Sequence, residues 1–499
     1  MRIILNRKKI VQPDIWIFLL LAAFYLWMAA QIPYAHDDWD WGLDIGLRQL
    51  LGATLNGRYG GNFLVVVMTR WEILKTVIMG GCCLLIPALM THVVIGEEKT
   101  HPLLTFLLSN LLLLTMAKEV WQQTYGWVAG FANYVISGIF LLIGISQLLR
   151  VFTSEPKWKK TPGRDALYGL SALLGQLFLE NLSIYMVLAV LLAMVISHRR
   201  TGTLPKRLLW MAAGAVAGLL IMFRSEVYNL LWATGSAVDG ARGLAISRGM
   251  GLAEIIYTLT GRFGLLLVEA GEGQTVLCLV SLALTAGNLL RTKRPFAAPP
   301  AGVNLALMVY FLLAGILNTG FGGTAPYLLV RMLLNFVYFL IVSLEIILLY
   351  AADRGKMFKL LFLWLSALAV LAPVAVTTTR GPRMYYISNI FIMLCVLNVA
   401  ADMVRSLPDR CCRRLLQSGL VVILALALYY GGIYTAIGTC KAERARLTEE
   451  AVAGEQHMVM LPAFPHGDYL WYPEPQNDLR MEYFREFYGI PENTTVLFE

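Results

Sequence analysis

The chain has 499 residues, of which 58% are hydrophobic and only 15% charged. A soluble protein carries about a quarter charged residues, so the composition excludes a soluble globular fold and indicates an integral membrane protein. The net charge of +9 does not imply a nucleic-acid partner, because the basic residues lie mostly in short loops between apolar runs instead of on one face of a soluble domain.

Arg7, Lys8 and Lys9 precede the first apolar run, Ile15 to Ile32, which lacks a small-residue cleavage site. It reads as a retained signal anchor with its N-terminus in the cytoplasm. Runs of about 17 to 25 apolar residues are long enough to cross the hydrocarbon core. They fall near 15–32, 73–95, 101–117, 131–149, 166–180, 182–197, 208–223, 273–290, 302–318, 327–350, 358–376, 385–401 and 416–437, thirteen helices in all. With this topology 24 of the 41 basic residues lie in cytoplasmic segments, as the positive-inside rule requires. The expected architecture is all-α and polytopic: a transmembrane module over 1–437, with a first outer loop at 33–72, and a small extracytoplasmic region over 438–499.

The first outer loop is the most informative stretch. His36-Asp37-Asp38-Trp39-Asp40-Trp41 places three carboxylates and two indoles beside the end of the first span. Carboxylates at that depth are costly unless they are used, and indoles suit the headgroup layer. Leu43, Leu47, Leu50, Leu51 and Leu55 recur at helical spacing, which predicts an amphipathic helix on the membrane surface. Asn56-Gly57 ends it, and Gly60-Gly61 allows close backbone approach.

The second outer loop, Lys118 to Tyr134, contains Glu119, Trp127, Asn133 and Tyr134. It is too polar for lipid and too apolar for water, which predicts a re-entrant or cavity-lining segment. Glu180 divides an apolar run and is expected to line a cavity. Residues 224–272 form the longest outer loop, with room for further interfacial helices. Residues 318–326 are a glycine-rich turn, and Thr379-Arg380-Gly381-Pro382-Arg383 is another with two arginines. Outer cations such as Arg58, Lys118, Arg224, Arg242, Arg248, Arg262, Arg331, Arg380 and Arg383 need an anionic partner or water, and a lipid phosphate is one candidate. The seven cysteines show neither a disulfide framework nor zinc spacing.

A carboxylate pair just outside the first span can supply a general base for an acceptor hydroxyl. A sugar carried on a lipid phosphate presents its anomeric carbon at the same depth, where arginines would neutralise the departing phosphate. Each residue also has a plainer reading. Asp37-Asp38 would cap the following helix, Trp39 and Trp41 would anchor the belt, Arg380 and Arg383 would snorkel, and His36 is a weak metal ligand on its own.

The order of these features resembles the GT-C class of polytopic glycosyltransferases, which includes protein mannosyltransferases, lipid A aminoarabinose transferases and serotype-converting O-antigen glucosyltransferases. The pair Asp37-Asp38, the Leu43 to Leu55 helix, Asn56-Gly57-Arg58-Tyr59-Gly60-Gly61-Asn62 and Trp127 through Gly130 to Asn133-Tyr134 look most like an uncharacterised bacterial family near the last of these. The resemblance is specific over 34–62 and 119–134. It implies a bacterial plasma-membrane enzyme with a polyprenyl-phosphate sugar donor and an envelope glycan or lipid acceptor. Asp37 or Asp38 would be the base, and Arg58, Arg380 and Arg383 the phosphate contacts. Trp39, Trp127 and Tyr134 would pack sugar or isoprenoid. No cofactor is indicated, although some members of the class need a divalent ion. The departure is the small C-terminal tail, where many relatives carry a large acceptor-binding domain. The alternatives are a lipid-linked glycan flippase, an O-antigen polymerase or ligase leaning on the 224–272 loop, and a catalytically silent scaffold.

Overall fold

A computed structural model describes residues 12–52, 56–96, 101–152, 162–236, 243–247, 249–272, 276–291, 298–316, 328–454 and 457–499. The fold is helical, as expected, and that of a multi-pass membrane protein. The expected count of thirteen spans is not met. Among the described residues nine helices are long and apolar enough to cross a bilayer, or ten if one bent pair counts as a span.

Of the four runs that differ, three fall on helices described over shorter apolar stretches and the fourth is bent. At 1.5 Å per residue, a helix of about 15 residues covers about 22 Å of a core about 30 Å thick. Pro162–Gly175 has 14 residues and Val276–Arg291 has 16, while the apolar part of Ala298–Ile316 spans Ala298–Ala314. The run near 101–117 breaks instead, as Pro102–Leu114 meets Lys118–Thr124 at 90°. This bend and the burial of Val120, Trp121, Gln123 and Thr124 match the cavity-lining reading of the second loop.

Helix Pro162–Gly175 is held against Lys206–Phe223 by close backbone approach, since a Cβ on Gly214 would lie 2.0 Å from the Gly169 carbonyl oxygen. Small residues let helices meet this way where apolar burial gives no net drive between them. A buried ion pair, Arg207 to Asp165 at 2.7 Å, fixes the same contact. The 224–272 loop folds into helices Glu226–Thr234 and Leu252–Glu272. Arg242, Arg248 and the turn at 318–326 lie outside the described residues.

The last span belongs to a 45-residue helix, Asp409–Ala453, so the boundary drawn at 437/438 falls within continuous helix. Beyond it a small module forms from two parallel strands, β1 (Met458–Leu461) and β2 (Thr495–Phe498), and the helix Asp478–Tyr488. Its apolar centre is Ala451, Val459, Leu461, Phe484, Ile490 and Val496, together with Trp39 of the first loop. Trp39 is fully buried with its ring edge-on to Phe484 at 5.2 Å. It therefore fills the core of the C-terminal module instead of facing a sugar or the headgroup layer.

Three contacts tie the loops and the tail into one end of the bundle. Asp40 pairs with Arg480 at 2.5 Å, Lys118 pairs with Asp468 at 2.7 Å, and the Trp471 amide donates to the Gly126 carbonyl at 3.2 Å.

Overpacking a tight contact costs about 1–3 kcal/mol. Gly214→Val should lower the thermal midpoint of the detergent-purified protein by that much stability. Gly81→Val, at a helical glycine with no atom near its would-be Cβ, should leave it unchanged.

Candidate functional site

The first span ends at Gln31, and the chain then turns through Ala35 and His36 into the short helix Asp38–Gly42. His36 holds a left-handed backbone, φ 53°, and its amide donates to the Tyr472 carbonyl at 3.1 Å. That conformation disfavours a residue with a Cβ, so the bond to the tail helps to hold it. The two neighbouring carboxylates then take opposite directions.

Asp38 is fully buried. One of its oxygens accepts the Ala129 amide at 2.9 Å, and the other accepts the amides of Ala35 at 2.9 Å and Val128 at 3.3 Å. Val128 and Ala129 open the span Val128–Phe152, so Asp38 satisfies the orphan donors at the start of a helix some 90 residues away. Burial, and then the charge of Asp37, push its carboxyl well above the usual range against the pull of these amides. With its oxygens occupied by backbone donors, Asp38 is a structural clasp and is not presented to a substrate.

Asp37 is half-buried, and its Oδ1 accepts the indole N–H of Trp127 at 2.9 Å. The same indole carries a cation on its face, with the Arg383 guanidinium 5.7 Å from the Trp127 ring and 5.8 Å from the Trp471 ring. Arg383 also donates to the Gln123 side-chain oxygen at 3.1 Å. Among the described residues it has no carboxylate partner. His36, Trp471 and Tyr472 complete this wall, with His36 5.9, 6.4 and 5.4 Å from the rings of Trp127, Trp471 and Tyr472. Burial lowers the His36 imidazole; Asp37 opposes this, and Arg480 and Arg383 add to it.

Four more of the expected cations, Arg58, Arg262, Arg331 and Arg380, have protein partners. Arg58 is bidentate to Glu180, 2.7 Å at the closest, and Tyr228 donates to the same carboxylate at 2.8 Å. Arg380 faces Glu269 at 3.4 Å, Arg331 pairs with Glu272 at 2.5 Å, and Arg262 donates to the carbonyls of Ala375 and Thr377. Arg58 is positioned by the Asn56-Gly57 turn, where a Cβ on Gly57 would sit 1.9 Å from the Met222 carbonyl oxygen. The Gly60 amide donates to the Leu177 carbonyl at 2.9 Å, the close approach expected of the glycine pair. Tyr134 lies under Arg58 at 5.9 Å and feels both Arg58 and Arg383. It belongs, with Asn133, to a π-helical turn, Phe131–Val135, a distortion frequent at functional sites. The Asn133 side-chain N–H donates to the Ala129 carbonyl at 2.9 Å, while its buried oxygen has no partner. Glu119 lies one turn before Gln123 on the same short helix, and no contact links it to Asp37.

The expected residues thus resolve into two neighbouring groups. Asp37, Trp127 and Arg383 meet at one indole, and Arg58, Glu180 and Tyr134 meet beside it. Asp38, Trp39 and Arg380 are taken up by a helix start, the tail core and Glu269. Sequence reasoning missed His36, Gln123, Trp471 and Tyr472 as walls. Its only signal for the last two was an aromatic pair in a proline-rich tail. Among the described residues no group of three or more His, Cys, Asp or Glu side chains converges as metal ligands do.

The carboxyl of Asp40 is pushed up to about 7 by burial and then by Asp37, with Arg480 opposing. A folded-state value above the ordinary 3.8 favours folding at low pH. That stabilisation is lost as the pH rises through about 7. Protection of the tail against protease should therefore fall between about pH 4 and pH 7, and Asp40→Asn should flatten the dependence.

Comparison of the chain with protein-family models, with curated proteins and with solved structures yields no match, so the functional argument rests on the site itself.

Proposed function

We propose that this chain is a membrane glycosyltransferase of GT-C type. It moves one sugar from a polyprenyl-phosphate donor to an envelope acceptor on the extracytoplasmic face. Asp37 takes the proton of the acceptor hydroxyl as that oxygen attacks the anomeric carbon. The bond from that carbon to the phosphate oxygen breaks with inversion, and the electron pair leaves on the lipid phosphate. Arg383 neutralises the charge that develops there. The side of the membrane follows from the basic loops, and a bacterial plasma membrane from the resemblance.

The observation that carries the reading is that a half-buried carboxylate and an arginine without a carboxylate partner are held on one indole, Trp127. A base and a phosphate contact are the two groups such a transfer needs, and an indole spacing them keeps them from cancelling as an ion pair. Arg58, neutralised by Glu180, serves to shape the site.

The test compares the envelope glycan of cells carrying each variant at matched membrane abundance. Asp37→Asn should keep the thermal midpoint and lower transfer about a hundredfold or more. Asp38→Asn should lower stability by about 1–3 kcal/mol, since an amide N–H would face backbone donors. Arg383→Ala should act like Asp37→Asn. A full complement of sugar in the Asp37→Asn strain would end this reading.

A transporter reading has one observation in its favour. Glu345 is buried within the span Leu328–Leu349, where it accepts the Asn304 side-chain N–H at 2.5 Å. If Glu345 is only structural, Glu345→Gln cells will still add the sugar. Lost sugar with unchanged protein abundance and stability would favour the transporter.

A further inference from the structure

Glu345 has its own test above, Cys411 is a lone exposed thiol, and the Arg331–Glu272 pair is satisfied within the fold. The setting of Arg383 is different. Arg58, Arg331, Arg380 and Arg480 each face a carboxylate, whereas Arg383 is held by two indole faces and one amide oxygen, none of them charged.

That amide oxygen belongs to Gln123, which is buried on the short helix Lys118–Thr124. The two glutamines of this helix point to different neighbours. Gln122 donates to the Gly467 and Leu470 carbonyls at 3.1 and 2.9 Å, which fixes the helix to the tail. Successive residues on a helix point about 100° apart. With Gln122 turned to the tail, Gln123 turns to Arg383 and accepts from its Nη1 at 3.1 Å. The backbone opposite makes room for this contact, since a Cβ on Gly381 would lie 3.0 Å from Gln123 Oε1 and 3.6 Å from Arg383 Nη1. Pro382 then opens the 3-10 turn Pro382–Tyr385 that carries Arg383. The Tyr134 phenol interacts with the same guanidinium.

A guanidinium drawn out of water needs acceptors for its N–H groups. A carboxylate is the stronger acceptor, but it also cancels the charge. Glutamine has the shape of glutamate and takes the same bond with the charge left in place. The residue at 123 therefore decides whether Arg383 is held or neutralised.

We propose that Gln123 is the positioning residue for Arg383: its uncharged oxygen orients the guanidinium between Trp127 and Trp471 and leaves the full positive charge for the phosphate of the lipid. The proposal rests on Arg383 as the phosphate contact and adds the residue that keeps this contact cationic.

The experiment measures equilibrium binding of a fluorophore-labelled polyprenyl phosphate, and of the matching polyprenol without phosphate, to the full chain in detergent. Wild type should bind the phosphate about tenfold or more tightly than the alcohol. Gln123→Glu keeps the shape and the acceptor but adds a charge. It should lose about tenfold or more on the phosphate and nothing on the alcohol, with a thermal midpoint at or above wild type. Gln123→Met removes the acceptor and leaves the charge on Arg383, so it should lose only about threefold. A residue that merely bonds Arg383 into the fold would give the opposite order, with Glu the better substitute. That order, a lowered midpoint in Gln123→Glu, or phosphate binding in it equal to wild type would overturn the proposal and leave Arg383 as the contact. If wild type binds phosphate and alcohol alike, or Arg383→Ala keeps the preference, the phosphate reading itself fails and the proposal with it.

Discussion

The carboxylate of Asp38 is the constraint on which the site depends. It is removed from water, and its oxygens accept the amides at the start of the span Val128–Phe152 and the amide of Ala35. One side chain thereby sets the exit of the first span against the entry of another. A buried acceptor is tolerable only if its donors are in place, so the two loops cannot slide without leaving a carboxylate unmatched. Asp37, Trp127 and His36 inherit their positions from that lock.

From this lock the electrostatics follow in layers. Asp40 is held by Arg480, Glu180 by Arg58, Glu269 by Arg380, and Glu272 by Arg331. Partly buried pairs of this kind gain little net stability, but breaking one leaves a charge that has nowhere to go. Their effect is to take most of the charge near the loops out of play. At the Trp127 indole, by contrast, a half-buried carboxylate and an arginine without an acidic partner among the described residues are held side by side. The selectivity of the arrangement lies in which groups are not paired.

Much of this was legible in the chain. The acidic stretch after the first span, the glycine turn at 57–61 and the segment from Trp127 to Tyr134 all proved to be neighbours. Their shared end of the bundle followed from the order of apolar runs alone. Other features were beyond any pattern of spacing. The helices described over 162–175 and 276–291 carry the same apolar signal as a longer span, because composition does not report where a helix starts and stops. Asp37 and Asp38 are chemically identical in sequence, and only backbone donors 90 residues away tell them apart. The match of Asp40 to Arg480 joins residues 440 apart, a distance over which periodicity says nothing. Trp39 was read as a belt anchor because an indole beside carboxylates suits that layer, yet a module from the far end of the chain covers it.

The 45-residue helix Asp409–Ala453 is about 68 Å long, more than twice the thickness of a hydrocarbon core. Its last 16 residues, past the apolar run that ends at 437, add about 24 Å of rod on which the tail module packs. Arg444 grips the tail from that rod, through the Pro462 carbonyl and Glu474. The rod thus ties the last span directly to the tail that sets Trp471 against Trp127.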